Sequence, residues 1–511
     1  MPLHDKMNQI KAGAVLNYVI IGLNTLVGLA YTPYMLRCLG QNEYGLYSLV
    51  ASVIAYLTIL DFGFGNAIVR YTAKFRAEGK KQEQWEMFGM FLIVYSIIGL
   101  IAICGGLALY FNVDALFDRT MTASDLSQAR TMMLLLTFNL AFTFPLSIFG
   151  SIITAYENFI FQRVVNILRI ILSTGVLIFV LAIGYKAVAL VVVQTIFNLL
   201  TLIIHLVYCK KKLKIRIIFG KLDIPFIKEI SIYSFWIFLN VIMDKIYWGT
   251  GQFVLGALSG TIAVAIFSVA ILLQQMYMTF SSSISNVLLP RVTAMVAQSK
   301  SDREISDLFI RTGRIQCLVI SFVLCGFIVF GQGFIDIWAG PDYSVAYVIT
   351  LIFFCSLFVP LIQNTGIIIL QARNRMKFRS LLYLAISLVS LAFQIILTKS
   401  YGAIGCAISI GTALVIGQGL IMNIYYQKKQ GIDIIKFWRE IGKMLIAPLL
   451  YTGLCLALSR YFNFQRIPTL VVGILAFSLI FMPLVWKFSM NEYERHLLLS
   501  PIKGLNQRIK R

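Results

Sequence analysis

Charged residues are scarce in this chain. They make up 13% of its 511 residues, whereas apolar residues make up 59%. Soluble globular domains carry about 25% charged residues because their surfaces face water. The shortage of charge therefore excludes a soluble globular protein and indicates an integral membrane protein.

Histidines and cysteines are also few. The three histidines stand at positions 4, 205 and 496, far apart in the sequence. The eight cysteines show no paired spacing outside the apolar runs and no metal-type cluster. A metal centre and a disulfide framework are thus disfavoured, and no cofactor is expected.

Two kinds of functional segment are missing as well. No GxxxxGKS or GxxxxGKT loop occurs, so the chain lacks the phosphate cradle of a nucleotide-driven pump. Any transport must therefore use an ion gradient, the membrane potential or consumption of the substrate. The longest expected external loop, about 112–130, leaves no room for an outside catalytic domain. A membrane-embedded glycan polymerase or ligase, which should carry a large external loop, is accordingly a weak alternative.

Long apolar runs are what the chain does contain. A helix needs about 20 apolar residues to cross roughly 30 Å of hydrocarbon, and continuous runs exclude the alternating pattern of a β-barrel. We predict an all-α membrane protein whose first run is too long for a cleaved signal peptide. The fourteen predicted spans are 12–36, 44–66, 87–111, 131–155, 163–183, 187–208, 230–256, 262–289, 314–336, 344–371, 378–398, 403–426, 440–459 and 467–486.

Lysine and arginine are distributed unevenly between the two sides. With the N-terminus inside, 35 of the 44 basic residues fall in cytoplasmic segments and seven in external loops, while Arg169 and Lys245 lie within spans. Basic residues concentrate on the cytoplasmic side of membrane proteins, so both termini are predicted to be cytoplasmic. The same preference for the cytoplasmic side explains the basic run Lys210–Arg216. This run would also attract the anionic headgroups of the inner leaflet. The net charge of +22 therefore requires no nucleic-acid partner.

Two parts of the chain are weak copies of each other about 216 residues apart. Residues 185–189 read YKAVA, and residues 401–405 read YGAIG. Each copy holds six predicted spans, an even number, so a pseudo-twofold axis along the membrane normal should relate the two bundles. The predicted division is an N-terminal six-helix lobe (1–210), a cytoplasmic basic linker (211–228), a C-terminal six-helix lobe (229–428), and two additional helices with a cytoplasmic tail (429–511).

Two motifs flank the second predicted span. Residues 39–49 read LGQNEYGLYSL, and residues 61–71 read DFGFGNAIVRY. This region resembles the early signature of the bacterial polysaccharide flippases, the Wzx-type O-antigen and capsule-repeat transporters, whose superfamily includes multidrug exporters and the lipid II flippase. The resemblance implies a flippase in the bacterial cytoplasmic membrane that moves a polyprenyl-pyrophosphate-linked oligosaccharide from the inner to the outer leaflet. It also makes a polysaccharide polymerase and a chain-length regulator candidate partners, while the sequence leaves open whether they bind.

The two basic residues within spans bear on this substrate. An ionised side chain at the bilayer centre costs about 2.5–3.5 kcal/mol, so Arg169 and Lys245 should face protein or water. We predict that both bind the anionic substrate in a cationic central cavity. Pairing with Asp244 is the alternative for Lys245, and snorkelling to the inner headgroups is the alternative for Arg169. A cation-coupled multidrug exporter of the same superfamily, the main alternative function, would instead favour an acidic cavity.

Polar stripes on two spans complete the predicted substrate site. On the first span, Asn17, Asn24 and Tyr31 recur every seven residues and share one helix face. The stripe on span seven consists of Asn240, Asp244, Tyr247 and Gly251. These side chains should line the cavity, or else form hydrogen bonds between helices.

Four residues are candidates for gating or coupling. Asp61, near the end of span two, is expected either to pair with Arg70 or to bind a coupling proton or cation. Pro145 and Pro360 interrupt the equivalent spans four and ten, and proline removes a backbone hydrogen bond and can kink a helix. The two bends would shape the cavity or permit alternate opening, although packing without movement is also compatible with the sequence. His205 could titrate near neutral pH, but its place near the inner end of span six favours a lipid-interface role.

Overall fold

The computed structural model describes residues 3–220, 224–286, 288–298, 300–462 and 464–496. Within those ranges the backbone forms helices, turns and loops and no β-strand, which confirms the all-α prediction. The chain divides into two compact units, Met1–Ala265 and Ile266–Arg511. This division describes packing; the duplicated lobes stay a prediction.

The first unit is built from long helices. They are α1 (Leu3–Ala55), α2 (Phe64–Ala77), α3 (Lys81–Phe111), the short α4 (Val113–Phe117), α5 (Ala123–Ala155), α6 (Phe159–Ala182), α7 (Ala187–Lys211), α8 (Ile224–Ser259) and the start of α9 (Thr261–Asn286). Helix α1 consists of two limbs that meet at Gly40, whose φ of 72° and ψ of 173° are not helical. Glycine reaches positive φ without a Cβ clash, so the boundary expected between spans one and two falls at this residue.

The second limb of α1 does not run as far as the sequence indicates. It ends at Ala55, and a 3₁₀ helix follows over Tyr56–Asp61. Phe62 and Gly63 then adopt left-handed backbone, with φ of 51° and 73°, before α2 begins. The predicted span over 44–66 is therefore interrupted near its end by a 3₁₀ segment and a two-residue turn, although it stays within the helical segment Val15–Ala77. The left-handed conformation costs about 1–2 kcal/mol at a residue with a Cβ, so the turn places strain beside Asp61.

Small residues allow the helices of the first unit to approach one another. An ideal Cβ on Gly99 of α3 would lie 2.8 Å from the carbonyl oxygen of Ala141 on α5. A Cβ on Gly256 of α8 would lie 2.6 Å from Cδ1 of Leu49 on the second limb of α1. Membrane helices have no hydrophobic drive to associate, so such close contacts supply much of their packing energy.

The second unit contains the remainder of α9 and the helices after it. These are α10 (Leu289–Ala297), α11 (Asp302–Trp338), α12 (Ala346–Ile362), α13 (Thr365–Ala372), α14 (Lys377–Leu414), α15 (Met422–Lys429), α16 (Ile434–Ser459) and α17 (Ile467–Phe488). Helix α14 also has two limbs, which meet at Gly402 with φ of 55°. That residue lies between predicted spans eleven and twelve. A π-helix over Val415–Ile421 joins α14 to α15.

The last two helices, α16 and α17, pack against α11. Their shared core consists of Cys325, Phe330, Tyr451, Leu470, Phe477, Phe481 and Val485. Beside this core, Arg314 donates from Nε to Oε1 of Glu494 at 2.6 Å and from Nη1 to Oε2 of Glu440 at 3.1 Å. Glu494 is only 2% exposed. Removing one partner of a buried ion pair costs about 3–5 kcal/mol, so this clamp holds α11, α16 and the segment after α17 together.

The helices are long and apolar enough for a multi-pass membrane protein. Among the described residues, ten helical segments could cross a membrane, or eleven if α12 and α13, bent by 43°, form one span. Two of the ten, Val15–Ala77 and Lys377–Lys429, are 63 and 53 residues long. At about 1.5 Å per residue, each exceeds twice the roughly 30 Å of hydrocarbon.

Candidate functional site

Arg169 lies on α6 with a half-buried side chain. Its neighbours Leu168 and Leu172 are 52% and 55% exposed, as residues that face lipid would be. Gln162 and Asn166 precede Arg169 by seven and three residues, which puts the three polar side chains on one face of α6. No hydrogen bond or ion pair to Arg169 occurs within the described ranges. The guanidinium is thus a cation whose donors are available to a ligand.

Lys245 lies on α8, and its side chain is also half-buried. The charge of the adjacent Asp244 acts on it through space, but among the residues described no hydrogen bond or ion pair reaches the ammonium. Asp244 itself is exposed, whereas Tyr247 is completely buried, with its ring 5.0 Å from that of Trp248. The polar stripe predicted on α8 therefore contains both an exposed residue and a buried one. The side chain of Asn240 lies outside the described residues.

The polar stripe predicted on the first span lies on the first limb of α1. Asn17 and Tyr31 are half-buried, and Asn24 is exposed. Tyr31 lies within electrostatic reach of Tyr47 on the second limb. The hydroxyl of Tyr47 in turn accepts a hydrogen bond from Nε2 of Gln194 on α7 at 2.8 Å. The structure thus extends the stripe at Tyr31 with two polar residues that the sequence analysis did not identify.

A second group of polar residues was also missed. Nδ2 of Asn198 on α7 donates to Oδ1 of Asn139 at 2.7 Å and to Oγ1 of Thr143 at 2.8 Å, both on α5. Four polar residues of α7 recur at intervals of four, three and four, namely Gln194, Asn198, Thr201 and His205. That spacing is the one signal that could have shown a polar face on this helix.

Asp61 ends the 3₁₀ helix and is bound from α3. The hydroxyl of Tyr95 donates to Oδ1 of Asp61 at 2.7 Å. Tyr95 is fully buried, and its ring stacks on Phe144 at 6.3 Å between centroids. Arg70 is exposed, with its guanidinium carbon 5.7 Å from the ring centroid of Tyr71. The partner that the structure gives to Asp61 is therefore a tyrosine.

Pro145 and Pro360 have different surroundings. Pro145 lies inside α5, which continues on both sides of it for a total of 33 residues. Pro360 is two residues from the end of α12, after which α13 starts at an angle of 43°. Proline removes one backbone hydrogen bond in either place. Helix α5 continues past Pro145, whereas α12 ends shortly after Pro360.

The chemistry available to this arrangement is the binding of anions. Within the described part of the chain, no group of three or more His, Cys, Asp or Glu side chains could hold a metal ion. Arg169 and Lys245 instead offer donors from half-buried positions in helices of the first unit. A half-buried cation without a bonded acid attracts negative charge more strongly than an exposed one, because water screens it less.

Comparison with known families gives one match that covers more than half of the chain. The family model described as "Polysaccharide biosynthesis protein" matches residues 10–296. A Shigella flexneri protein named "Putative O-antigen transporter" is 20% identical over 434 residues, which is 81% of this chain and 96% of that protein.

Solved structures with a similar fold include a lipid flippase and a multidrug transporter. The lipid II flippase MurJ, in an inward closed conformation, superposes with a TM-score of 0.70 at 16% identity, over 93% of this chain and 98% of MurJ. An inward-facing multidrug resistance MATE family transporter of the MOP superfamily gives a TM-score of 0.62 at 13% identity, over 80% of this chain and 95% of its own. At these identities the likeness shows a shared fold.

Proposed function

Since the chain belongs to the family of polysaccharide biosynthesis proteins, we propose that it is a flippase for polyprenyl-pyrophosphate-linked oligosaccharide repeat units, such as those of O-antigen or capsule. The cargo would cross from the inner to the outer leaflet of the bacterial cytoplasmic membrane. The observation that carries this proposal is the nearly full-length likeness to the Shigella flexneri protein named for O-antigen transport. The polymerase and the chain-length regulator remain proposed partners.

The electrostatics of the first unit support an anionic cargo. A pyrophosphate carries negative charge, and a membrane-embedded cation is costly unless a ligand, protein or water compensates it. Arg169 and Lys245 make no hydrogen bond or ion pair in the described ranges, so their donors are available for phosphate oxygens. Asn17, Asn24, Tyr31, Asn240 and Asp244 would supply the polar lining for the sugars. A multidrug exporter, which would bind cations, gains no support from this distribution of charge.

The proposed architecture has fourteen spans, with two six-helix lobes and two additional helices. The breaks at Gly40 and Gly402 support this count, since each divides an overlong segment into two spans. The bent pair α12 and α13 adds one span, and α8, with its 36 residues, adds another. Both termini would lie in the cytoplasm. Alternating access between the lobes would then move the cargo, with Asp61, Arg70, Pro145 and Pro360 as the gating or coupling positions.

Reconstitution tests the transport function directly. Purified protein in vesicles should move a fluorescent lipid-linked oligosaccharide between leaflets, measured with and without a pH or sodium gradient. Arg169→Gln and Lys245→Gln should each slow this movement by about tenfold, because each removes a charge-assisted contact worth ~1.5–3 kcal/mol. Lys210→Gln, which changes an exposed lysine of the basic run, is the matched control and should leave the rate unchanged.

Two results would contradict different parts of the proposal. If the wild-type protein moves no lipid-linked oligosaccharide under any gradient, the flippase assignment fails. If both glutamine variants transport at the wild-type rate, the function stands but these two cations leave the site. In cells, deletion of the protein should trap finished repeat units on the inner leaflet while their synthesis continues.

A further inference from the structure

A buried histidine in the first unit has a ring nitrogen without a hydrogen-bond partner among the described residues. His205 on α7 is 8% exposed, and its Nε2 has no partner among the described residues. A buried polar atom without a partner costs about 1–3 kcal/mol. Most buried polar atoms in proteins form a hydrogen bond. The unpaired Nε2 of His205 therefore suggests that a ligand supplies its partner.

Two more donors lie beside this imidazole. The charge of Arg169 on α6 acts on His205. An ideal Cβ on Gly150 of α5 would lie 3.5 Å from Nδ1 of His205 and 3.9 Å from Nε2 of Gln162, so the amide of Gln162 adjoins the same space. Because Oε1 of Gln162 accepts from Oγ1 of Thr154 at 3.0 Å, the amide nitrogen remains to donate.

The charge in this cluster is not balanced by a carboxylate. Within the described ranges, no ion pair or hydrogen bond to Arg169 or His205 occurs. Of the helices packed against α7, α6 contributes Arg169, and neither α1 nor α5 contributes a charged group that acts on the imidazole. The nearest titratable residues of α7 itself are Tyr208 and Cys209.

We propose that Arg169, His205 and Gln162 form a binding site for a phosphate group. The planar guanidinium suits two phosphate oxygens, and the imidazolium and the amide can each donate one further hydrogen bond. A phosphate at this site would also provide the partner that Nε2 of His205 lacks. The family match and the predicted cavity do not identify His205 or Gln162 as ligands.

The site lies below the membrane surface, which limits what can reach it. Arg169 is about 15 Å along α6 from its first residue, Phe159, and His205 is about 9 Å along α7 from its last residue, Lys211. Both of those helix ends are cytoplasmic in the predicted topology. A lipid-borne phosphate, from the cargo or from a phospholipid of the inner leaflet, fits this depth. If it is the cargo's pyrophosphate, the site deepens the proposed function by adding an entry position.

Binding to the full-length protein in detergent micelles tests the site without transport. Native mass spectrometry would measure the affinities for polyprenyl pyrophosphate, phosphatidylglycerol and inorganic pyrophosphate. Arg169→Gln and His205→Gln should each weaken binding about tenfold, whereas Arg169→Lys should recover part of the loss. Arg163→Gln removes an equal charge six residues away on α6 and should bind as the wild type does.

The pH dependence separates a ligand role for His205 from a packing role. Phosphatidylglycerol keeps its charge between about pH 5.5 and 8, so any change in its affinity over that range comes from the protein. Binding should weaken as the pH rises, because the imidazolium loses the proton that it donates to the phosphate. His205→Gln should remove this pH dependence.

Three results would overturn the proposal. They are unchanged affinities in both variants, an equal loss in Arg163→Gln, and an undiminished pH dependence in His205→Gln. Binding of polyprenyl pyrophosphate alone would support a cargo site, while equal binding of phosphatidylglycerol would support a general lipid-phosphate site. A failure of vesicle transport would leave this binding result standing, so the two proposals can fail separately.

Discussion

At the scale of single residues, the least expected contact is the one between Asp61 and Tyr95. The sequence presents Asp61 beside glycines and nine residues before Arg70, which suggested an ion pair or a coupling role. The structure places it at the end of a 3₁₀ helix, next to the left-handed Phe62, with the buried Tyr95 hydroxyl 2.7 Å away. Strained backbone beside a half-buried carboxylate is typical of functional positions, which keeps Asp61 among the coupling candidates.

A double-mutant cycle measures how strongly these two residues depend on each other. Tyr95→Phe should lower the free energy of unfolding by about 1.5–3 kcal/mol, because a carboxylate loses its only described side-chain donor. Asp61→Asn should then cost less in the Tyr95→Phe background than alone. Denaturant titrations in detergent would show a coupling energy of about 1 kcal/mol or more. Strictly additive losses would mean that the hydrogen bond contributes nothing.

At the scale of elements, glycines with positive φ determine where the long apolar segments break. Gly40 and Gly22 lie in the same helix, α1, and a Cβ added to either would meet nothing within 4 Å. They differ in backbone conformation, since only Gly40 has a left-handed φ, of 72°. The pair therefore isolates the conformational requirement from any steric effect of packing.

Alanine substitutions at these two glycines should have opposite effects. Gly40→Ala should reduce stability by about 1–3 kcal/mol, because a φ of 72° with a ψ of 173° is a backbone conformation that is essentially confined to glycine. Gly22→Ala should be neutral or stabilising by up to ~1 kcal/mol, since alanine loses less entropy in a helix. Thermal unfolding of both variants in the same detergent provides the comparison. Equal melting temperatures would show that the boundary between the limbs does not need a glycine.

At the scale of the whole molecule, the distribution of charge sets the orientation. The two ends of α7 offer a matched pair for testing it, because Tyr185, two residues before the helix, and Lys211, its last residue, are both exposed. If the basic side is cytoplasmic, a membrane-impermeant maleimide should label Tyr185→Cys in intact cells and should label Lys211→Cys only after the membrane is opened. Both variants belong in a background without the native cysteines. The reverse pattern would invert the predicted topology.

Much of the fold could be read from the sequence because membrane spans are a local property. A run of about 20 apolar residues is favoured in hydrocarbon regardless of its neighbours, and its backbone must then be helical. The family resemblance of residues 39–71 was equally local, and the match to residues 10–296 agrees with it. The break near the end of span two was not predicted, because a turn at two residues changes the hydropathy very little.

The sequence by itself determined that this chain is a helical, multi-pass membrane protein, since composition and span pattern depend on residues near each other. Its place in the polysaccharide biosynthesis family rests on the family match over residues 10–296. Only the tertiary structure decided which polar groups meet. Tyr95 is 34 residues from Asp61, and His205 is 36 residues from Arg169. Helix packing sets such distances, and the same apolar pattern is compatible with many packings. These polar contacts therefore became visible only when α3, α5, α6 and α7 were assembled.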